Sequence, residues 1–394
     1  MSNPTFTVIG ISDSRRQRLA DDAMHAIRSA SVFSGGKRHY EIVKSMLPED
    51  HKWIDITIPI SNVFDQYAKE NEVVVFASGD PLFYGMASTL RREFPESQMK
   101  VMPTLNSIQM LACRMLIPYH DIKCVSLTGR PWSELDQALI AGYDLIGVLT
   151  DRIKTPAAIS HRLIEYGYTN YEMIVGEKLG NETDEKTYVL SLHDADRIFA
   201  MPNNVILRKT SPRNIPFGIP DDQFAKLPGR DKMITKMPVR LLSISMLDLA
   251  GRHSLWDIGF CTGSISIEAK LRYPALKVTS FEIRPESESL MHQNCRKFGI
   301  PDINIVMGDF LKVDLSDLPR PDAIFIGGHG GKLKEIMERI LPIMQPDGVI
   351  VFNSVSSDSL NAFTQCIESS GLRIVDTHRI ALDDYNPITI MKAQ

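Results

Sequence analysis

Short apolar runs rich in β-branched and aromatic residues alternate along most of the chain with segments whose apolar positions recur every three or four residues. In the first half Phe6–Ile9, Val32–Ser34, Val73–Ala77, Cys124–Ser126, Leu145–Leu149 and Met173–Gly176 read as strands. Helices are expected between them: Ser61 should cap one ending near Asn71, and Asn106 one that presents Ile108, Leu111 and Met115. This alternation predicts parallel sheets with crossover helices. Between Thr210 and Lys236 the pattern lapses, and Pro212, Pro216, Gly218, Pro220, Pro228 and Gly229 punctuate what reads as a linker, 210–236. A helix with Val239, Leu242, Met246 and Leu249 on one face follows. It leads into seven expected strands: Ser254–Ile258, Lys277–Phe281, Ile303–Met307, Ala323–Ile326, Gly348–Asn353, Leu372–His378 and Pro387–Met391. The last two lie close in sequence, which predicts a doubly wound sheet closed by an antiparallel pair. The expectation is an α/β protein with domains at 1–209 and 237–394.

Composition narrows the partners. The 394 residues carry a formal net charge of −4, with 23 basic and 26 acidic residues up to Thr210 and 21 and 22 beyond it. Neither half is a basic domain, so a nucleic-acid partner is not expected, because such binding rests on Lys and Arg neutralising phosphates. Five cysteines without a C-x-x-C pair suggest free thiols rather than a disulfide or zinc framework. The start of the chain reads as a strand rather than a signal peptide, and no run of 18 apolar residues occurs. A cytoplasmic protein without a membrane segment is the expectation.

The residues that carry chemistry stand at strand ends. Leu255-Trp256-Asp257-Ile258-Gly259-Phe260-Cys261-Thr262-Gly263 ends a strand in an acid and a glycine turn before a helix, a geometry that lets backbone approach a nucleoside. Its G-x-x-x-G spacing differs from the G-x-G-x-x-G of dinucleotide sites, and Asp257 would repel a pyrophosphate. A ligand with a cationic amino-acid end fits better than NAD. Glu282, 25 residues on, could accept both ribose hydroxyls, and Asp309 after the next strand could take an adenine amino group.

Together these features resemble the class I S-adenosylmethionine-dependent methyltransferases. Within them, Ile234-Thr235-Lys236, Trp256-Asp257-Ile258-Gly259, Ser264-Ile265-Ser266-Ile267-Glu268-Ala269, Phe325-Ile326-Gly327-Gly328 and Asn386-Pro387-Ile388-Thr389-Ile390 are similar to the C-15 methylase/decarboxylase domains of cobalamin biosynthesis. Cys261 stands where that family usually has glycine, and His329 where a small residue is common. In the first half, Ser34-Gly35-Gly36-Lys37-Arg38-His39, Ala77-Ser78-Gly79-Asp80-Pro81-Leu82-Phe83-Tyr84-Gly85, Val125-Ser126-Leu127-Thr128-Gly129-Arg130, Leu149-Thr150-Asp151 and Gly176-Glu177-Lys178-Leu179-Gly180 resemble the tetrapyrrole methylases, in particular the C-5 methylases of the corrin pathway. Two departures are Gly10-Ile11-Ser12-Asp13-Ser14-Arg15-Arg16 in place of a Gly-Pro-Gly-rich loop, and Thr128 where histidine is frequent.

The resemblance implies a bilobal tetrapyrrole-methylase fold followed by a seven-stranded Rossmann-like fold, with one S-adenosylmethionine per domain. Donor-site residues would be Gly79, Asp80, Leu82 and Gly85 in the first, and Thr235, Asp257, Gly259, Phe260, Cys261, Thr262, Gly263, Glu282, Asp309 and Phe310 in the second. Lys37, Arg38, His39 and Arg130 would meet carboxylates of a small-molecule corrin precursor, since Arg pairs such groups bidentately. His329 is the candidate for handling a proton or the departing carboxylate, and no metal site is expected. The implied reaction is methylation of a precorrin-6 or cobalt-precorrin-6 type macrocycle at C-5 and C-15 with loss of carbon dioxide from the ring C acetate, by a homo-oligomer. The alternatives are a first half that only docks the macrocycle and a nucleic-acid methyltransferase built on the second half.

Overall fold

A computed structural model describes residues 3–383 and 385–394. Its first sheet consists of β1 (Thr5–Ile11), β2 (Val32–Gly35), β3 (Lys52–Asp55), β4 (Glu72–Ser78) and β5 (Met99–Met102), in the order β3-β2-β4-β1-β5. All its pairings are parallel. The central strands are covered on both faces. Phe6 and Val8 of β1 pack on one side with Val73 and Val75, while Ile9 and Ile11 pack on the other with Val74 and Phe76. This is why β1 and β4 read as unbroken apolar runs.

The second sheet departs from the expected parallel pattern. It holds β6 (Lys123–Ser126), β7 (Leu145–Leu149), β8 (Tyr171–Glu177), β9 (Lys186–Leu190) and β10 (Asn203–Lys209), ordered β6-β7-β10-β8-β9. Only β6 and β7 run parallel, whereas β10 is antiparallel to both β7 and β8, and β8 to β9. Residues 178–185 join β8 to β9 without a crossover helix, so the neighbouring strand must reverse. Asn106 caps its helix as expected, in a reciprocal box: its Oδ1 accepts from Gln109 N at 2.8 Å and its N–H donates to Gln109 Oε1 at 2.9 Å. Ser61 does not cap. It is the first residue of the helix Ser61–Tyr67, after Ile60.

The third sheet is built from β11 (Ser254–Ile258), β12 (Lys277–Glu282), β13 (Ile303–Met307), β14 (Ala323–Ile326), β15 (Val349–Ser354), β16 (Ile374–Ile380) and β17 (Ile388–Ala393). Its order is β13-β12-β11-β14-β15-β17-β16, with β17 antiparallel to both neighbours, so the closing antiparallel pair is present. Alternate residues again feed two cores, Trp256 and Ile258 on one face, Leu255, Phe325 and Val351 on the other. The strand order reverses between β11 and β14, which opens a crevice at their carboxyl ends.

The chain forms two compact units. The first holds residues up to Pro131, Tyr143–His161 and Tyr171–Thr210; the second holds Trp132–Gly142, Arg162–Asn170 and Ser211–Gln394. The segment expected to be a linker is therefore part of the second unit. Ile219, Phe224, Leu227 and Ile234 are buried, three of them packed with Phe260, Ile267 and Met291. Fully buried Arg240 fastens this segment: it pairs with Glu268 and Asp221 and donates to the carbonyls of Ile219 and Thr235. Among the described residues no helix is long and apolar enough to cross a membrane.

Candidate functional site

In the first unit a cavity of about 370 Å³ lies at the carboxyl ends of β1, β2 and β4 and reaches β7, β8 and β10. Gly79, Gly85, Arg38 and His39 line it. Gly79 has φ +64°, and a Cβ there would lie 2.7 Å from Asn106 Cα, so the turn after β4 needs glycine for its own packing. Asp80 does not line the cavity; its Oδ1 accepts from Leu82 N at 2.9 Å within the turn, and Leu82 is exposed. Lys37 is exposed as well, and Arg130 lies over the Tyr84 ring, 5.1 Å from its centroid.

The basic cluster at this cavity is neutralised internally. Arg38 pairs with buried Asp13 at 2.6 Å and donates to Ser78 Oγ at 2.6 Å. His39 accepts from Gly36 N at Nδ1 (3.2 Å), which leaves Nε2–H to donate to Ser78 Oγ (2.9 Å). Burial, with the Arg38 charge beside it, pushes its pKa down to about 4, so the ring is neutral. The Ser12–Arg16 turn closes on Glu182, whose carboxylate accepts from Ser14 Oγ (2.5 Å) and from the N–H groups of Arg15 (3.0 Å) and Arg16 (3.1 Å). Thr128 donates to the Thr150 carbonyl at 3.0 Å.

The second unit has two cavities at the β11/β14 crevice, of about 500 and 180 Å³, which share Gly259, Arg284 and Gly328 as walls. Gly259, at φ +78°, passes so close to Gly328 that a Cβ would lie 2.7 Å from its backbone. The larger cavity is lined by Thr235, Asp257, Gly259, Phe260, Cys261 and Thr262, and the smaller by Gly259, Glu282, Asp309, Phe310 and His329. Gly263 lines neither; with φ +76° it caps the helix Ser264–Arg272, its Cα facing Met291.

Asp257 is the electrostatic centre of the larger cavity. It is 1% exposed, its Oδ2 accepts from Ser266 Oγ at 2.5 Å, and its Oδ1 has no hydrogen-bond partner among the described residues. Burial raises its pKa to about 7. A buried carboxylate oxygen without a partner fits a cationic ligand group, which would restore its charge. Glu282 is engaged on both oxygens: Oε2 accepts from Cys261 N (2.9 Å), and Oε1 from the N–H groups of Ile283 and Arg284. Arg284 also pairs with it at 3.1 Å. Asp309 accepts from Leu311 N and faces Lys332 Nζ at 3.2 Å.

Cys261 has φ +54°, the left-handed conformation that glycine adopts without strain. Its thiol donates to the Met233 carbonyl at 3.0 Å, and burial pushes its pKa up to about 11, the wrong direction for a nucleophile. His329 lines the smaller cavity rather than the larger. Its Nδ1 accepts from Gly331 N at 3.2 Å, its ring meets Phe352 edge-on, and desolvation lowers its pKa.

Sequence reasoning missed four residues that line the larger cavity: Lys232, Lys236, Arg284 and Tyr385. The lysine ammonium groups lie 5.7 and 4.7 Å from the Tyr385 ring centroid. Lys236 was visible beside Thr235, but Tyr385 is distant in sequence and reaches the site only through the β16–β17 turn. In the first unit the missed residues of the cavity wall include Asp13, Ser78 and Asn204.

Fold and site together define a tetrapyrrole methylase joined to a class I methyltransferase. Residues 5–196 match the model of the tetrapyrrole (corrin/porphyrin) methylases, and residues 227–393 that of the precorrin methyltransferase domain. A Sinorhizobium precorrin-6Y C(5,15)-methyltransferase (decarboxylating) is 32% identical over 365 residues, covering 90% of this chain and 86% of that protein. Two Salmonella typhimurium proteins match one half each. A cobalt-precorrin-7 C(5)-methyltransferase is 29% identical and covers 51% of this chain and 98% of its own length; a cobalt-precorrin-6B C(15)-methyltransferase (decarboxylating) is 30% identical and covers 41% and 83%. The chain belongs to the precorrin-6Y C(5,15)-methyltransferase (decarboxylating) family, S-adenosylmethionine-dependent enzymes of cobalamin biosynthesis.

Proposed function

We propose that each unit holds its own S-adenosylmethionine, that the first methylates C-5 of a precorrin-6 type macrocycle, and that the second methylates C-15 while the ring C acetate loses carbon dioxide. The observation that carries this reading is Asp257 Oδ1, an unpartnered buried acid in the wall of a cavity at the strand-order reversal. Asp257 would take the ammonium of the methionine end, Glu282 the ribose and Asp309 the adenine amino group. Phe310 and His329 would flank the base, so His329 becomes a nucleoside contact rather than a proton carrier. Half-length relatives for each half support two catalytic domains.

Bound S-adenosylmethionine supplies a methyl group already activated on a sulfonium. The chain's task is then to align donor and macrocycle and exclude water, which can lower a barrier by about 7–11 kcal/mol. Decarboxylation breaks the acetate C–C bond; its electron pair passes into the macrocycle, carbon dioxide leaves, and the methylene carbon regains a proton. Lys232 and Lys236, held over Tyr385, would orient the carboxylates of the macrocycle. In the first unit Arg38 is committed to Asp13, so it would hold the cavity wall in place, and exposed Lys37 and Arg130 would be the candidate cations left for substrate.

The loop closed on Glu182 favours a second reading, in which the first unit docks the macrocycle without methylating it. Mass spectrometry of products from metal-free and cobalt-containing precursors separates the two. Two added methyl groups less one carbon dioxide support the first reading, and one added methyl less carbon dioxide supports the second.

A further inference from the structure

In the first unit Asn204 is the polar side chain left over. It lies on β10, in register with Leu149 of β7 and Gly176 of β8, is 1% exposed and lines the 370 Å³ cavity. Neither its Oδ1 nor its Nδ2 has a hydrogen-bond partner among the described residues. Its neighbours are satisfied: the Asn203 carboxamide oxygen accepts from Thr150 Oγ1 at 2.7 Å and its nitrogen donates to the Ala200 carbonyl at 3.1 Å. The same cavity is also lined by the apolar side chains of Leu149, Leu179, Phe83 and Met110. A buried amide with both functions unpaired is costly unless a ligand or water completes it.

We propose that Asn204 reads the base edge of the first unit's methyl donor, its Oδ1 accepting from the adenine amino group and its Nδ2 donating to a neighbouring ring nitrogen. A carboxamide offers one donor and one acceptor side by side, the complement of that edge, and Asn–adenine pairing of this kind is a recurrent bidentate contact. The apolar side chains of the lining suit the faces of a flat aromatic base, while the charged groups, Asp13 and Arg38, are tied to each other. The second unit has no counterpart in this assignment, since there an acid, Asp309, stands at the adenine end. The inference rests on the donor site assigned to the first unit above.

The test uses calorimetric titration of the full chain with S-adenosylhomocysteine and with its analogue lacking the 6-amino group. Wild-type protein should show two sites, both discriminating against the analogue. Asn204→Leu should weaken one site about ten- to hundredfold, in line with the discrimination a bidentate pair provides, and abolish that site's preference for the amino group. The other site should not change. Asn204→Ser, which retains a smaller polar group, controls for folding, and thermal unfolding of free Asn204→Leu should show an unchanged or raised midpoint because an unpaired amide is removed. Two wild-type sites whose affinity and preference survive Asn204→Leu would overturn the inference and leave the two-site reading intact. A single wild-type site would overturn both.

Discussion

The two units present their cavities with opposite electrostatics. In the first, the charged side chains at the wall are satisfied inside the protein, Arg38 by Asp13 and His39 by loss of its proton, while the Glu182 carboxylate is taken up by the Ser14 hydroxyl and the N–H groups of Arg15 and Arg16. A neutral, unpartnered amide, that of Asn204, remains for a ligand. In the second, an acid at the sheet reversal has an oxygen without a partner, and two lysines stand over an aromatic ring. If each cavity takes the donor as proposed, the two sites share no recognition chemistry, and binding should respond to pH in the second unit alone.

The largest expected effect comes from Asp257. Asp257→Asn removes the charge facing the ligand ammonium, and truncating one partner of a buried charged pair costs about 2–5 kcal/mol, so donor affinity of the second unit should fall at least thirtyfold while the first unit's does not. Titration calorimetry checks this, and equal losses at both sites would erase the contrast. Next is pH. Asp257 is half protonated near pH 7 in the free protein, and a cationic ligand requires it ionised. Binding must then release a proton below that pH, so affinity should fall up to tenfold per pH unit below 7 and level off above it. His39 changes charge only near 4, so the first site should be flat between pH 5 and 8.

Strand-end acids come third. Glu282→Ala should weaken the second site about tenfold, because Glu282 also holds the N–H of Cys261 and so shapes the glycine turn. Asp80→Ala should have a smaller effect on the first site, since Asp80 braces only its own turn, through Leu82 N. The smallest effect belongs to Cys261→Gly. Relief of a left-handed residue, worth about 1 kcal/mol, opposes loss of the thiol bond to Met233. Thermal unfolding should show a stability change within about 1 kcal/mol, with donor affinity kept within a factor of a few.

Strands buried on both faces were legible from sequence because their apolar runs are unbroken, as in Val73–Ala77 and Ala323–Ile326. Missed were β3, β5 and β9, which lie at sheet edges and carry few buried residues. Strand β10 was missed for another reason: it opens with Asn203-Asn204 after a proline, a pattern that reads as a turn, and its antiparallel placement is decided by neighbours far away in the chain. The same ambiguity hid Asn204 as a cavity residue. Ile219, Phe224 and Ile234 lack a period, so their burial depended on partners such as Phe260 and Met291 that local pattern does not reveal. At the second site the glycine turn and three acids were legible because each stands at or just beyond the carboxyl end of a strand, whereas Lys232 and Tyr385 meet only in the folded unit.

The central claim is that one chain carries two donor sites of different chemistry. Calorimetric titration of the full chain with S-adenosylhomocysteine at pH 8 and pH 6 addresses it directly. Two sites per chain are predicted, one weakened about tenfold at the lower pH and one unaffected. A single site, or two sites with the same pH response, would contradict it.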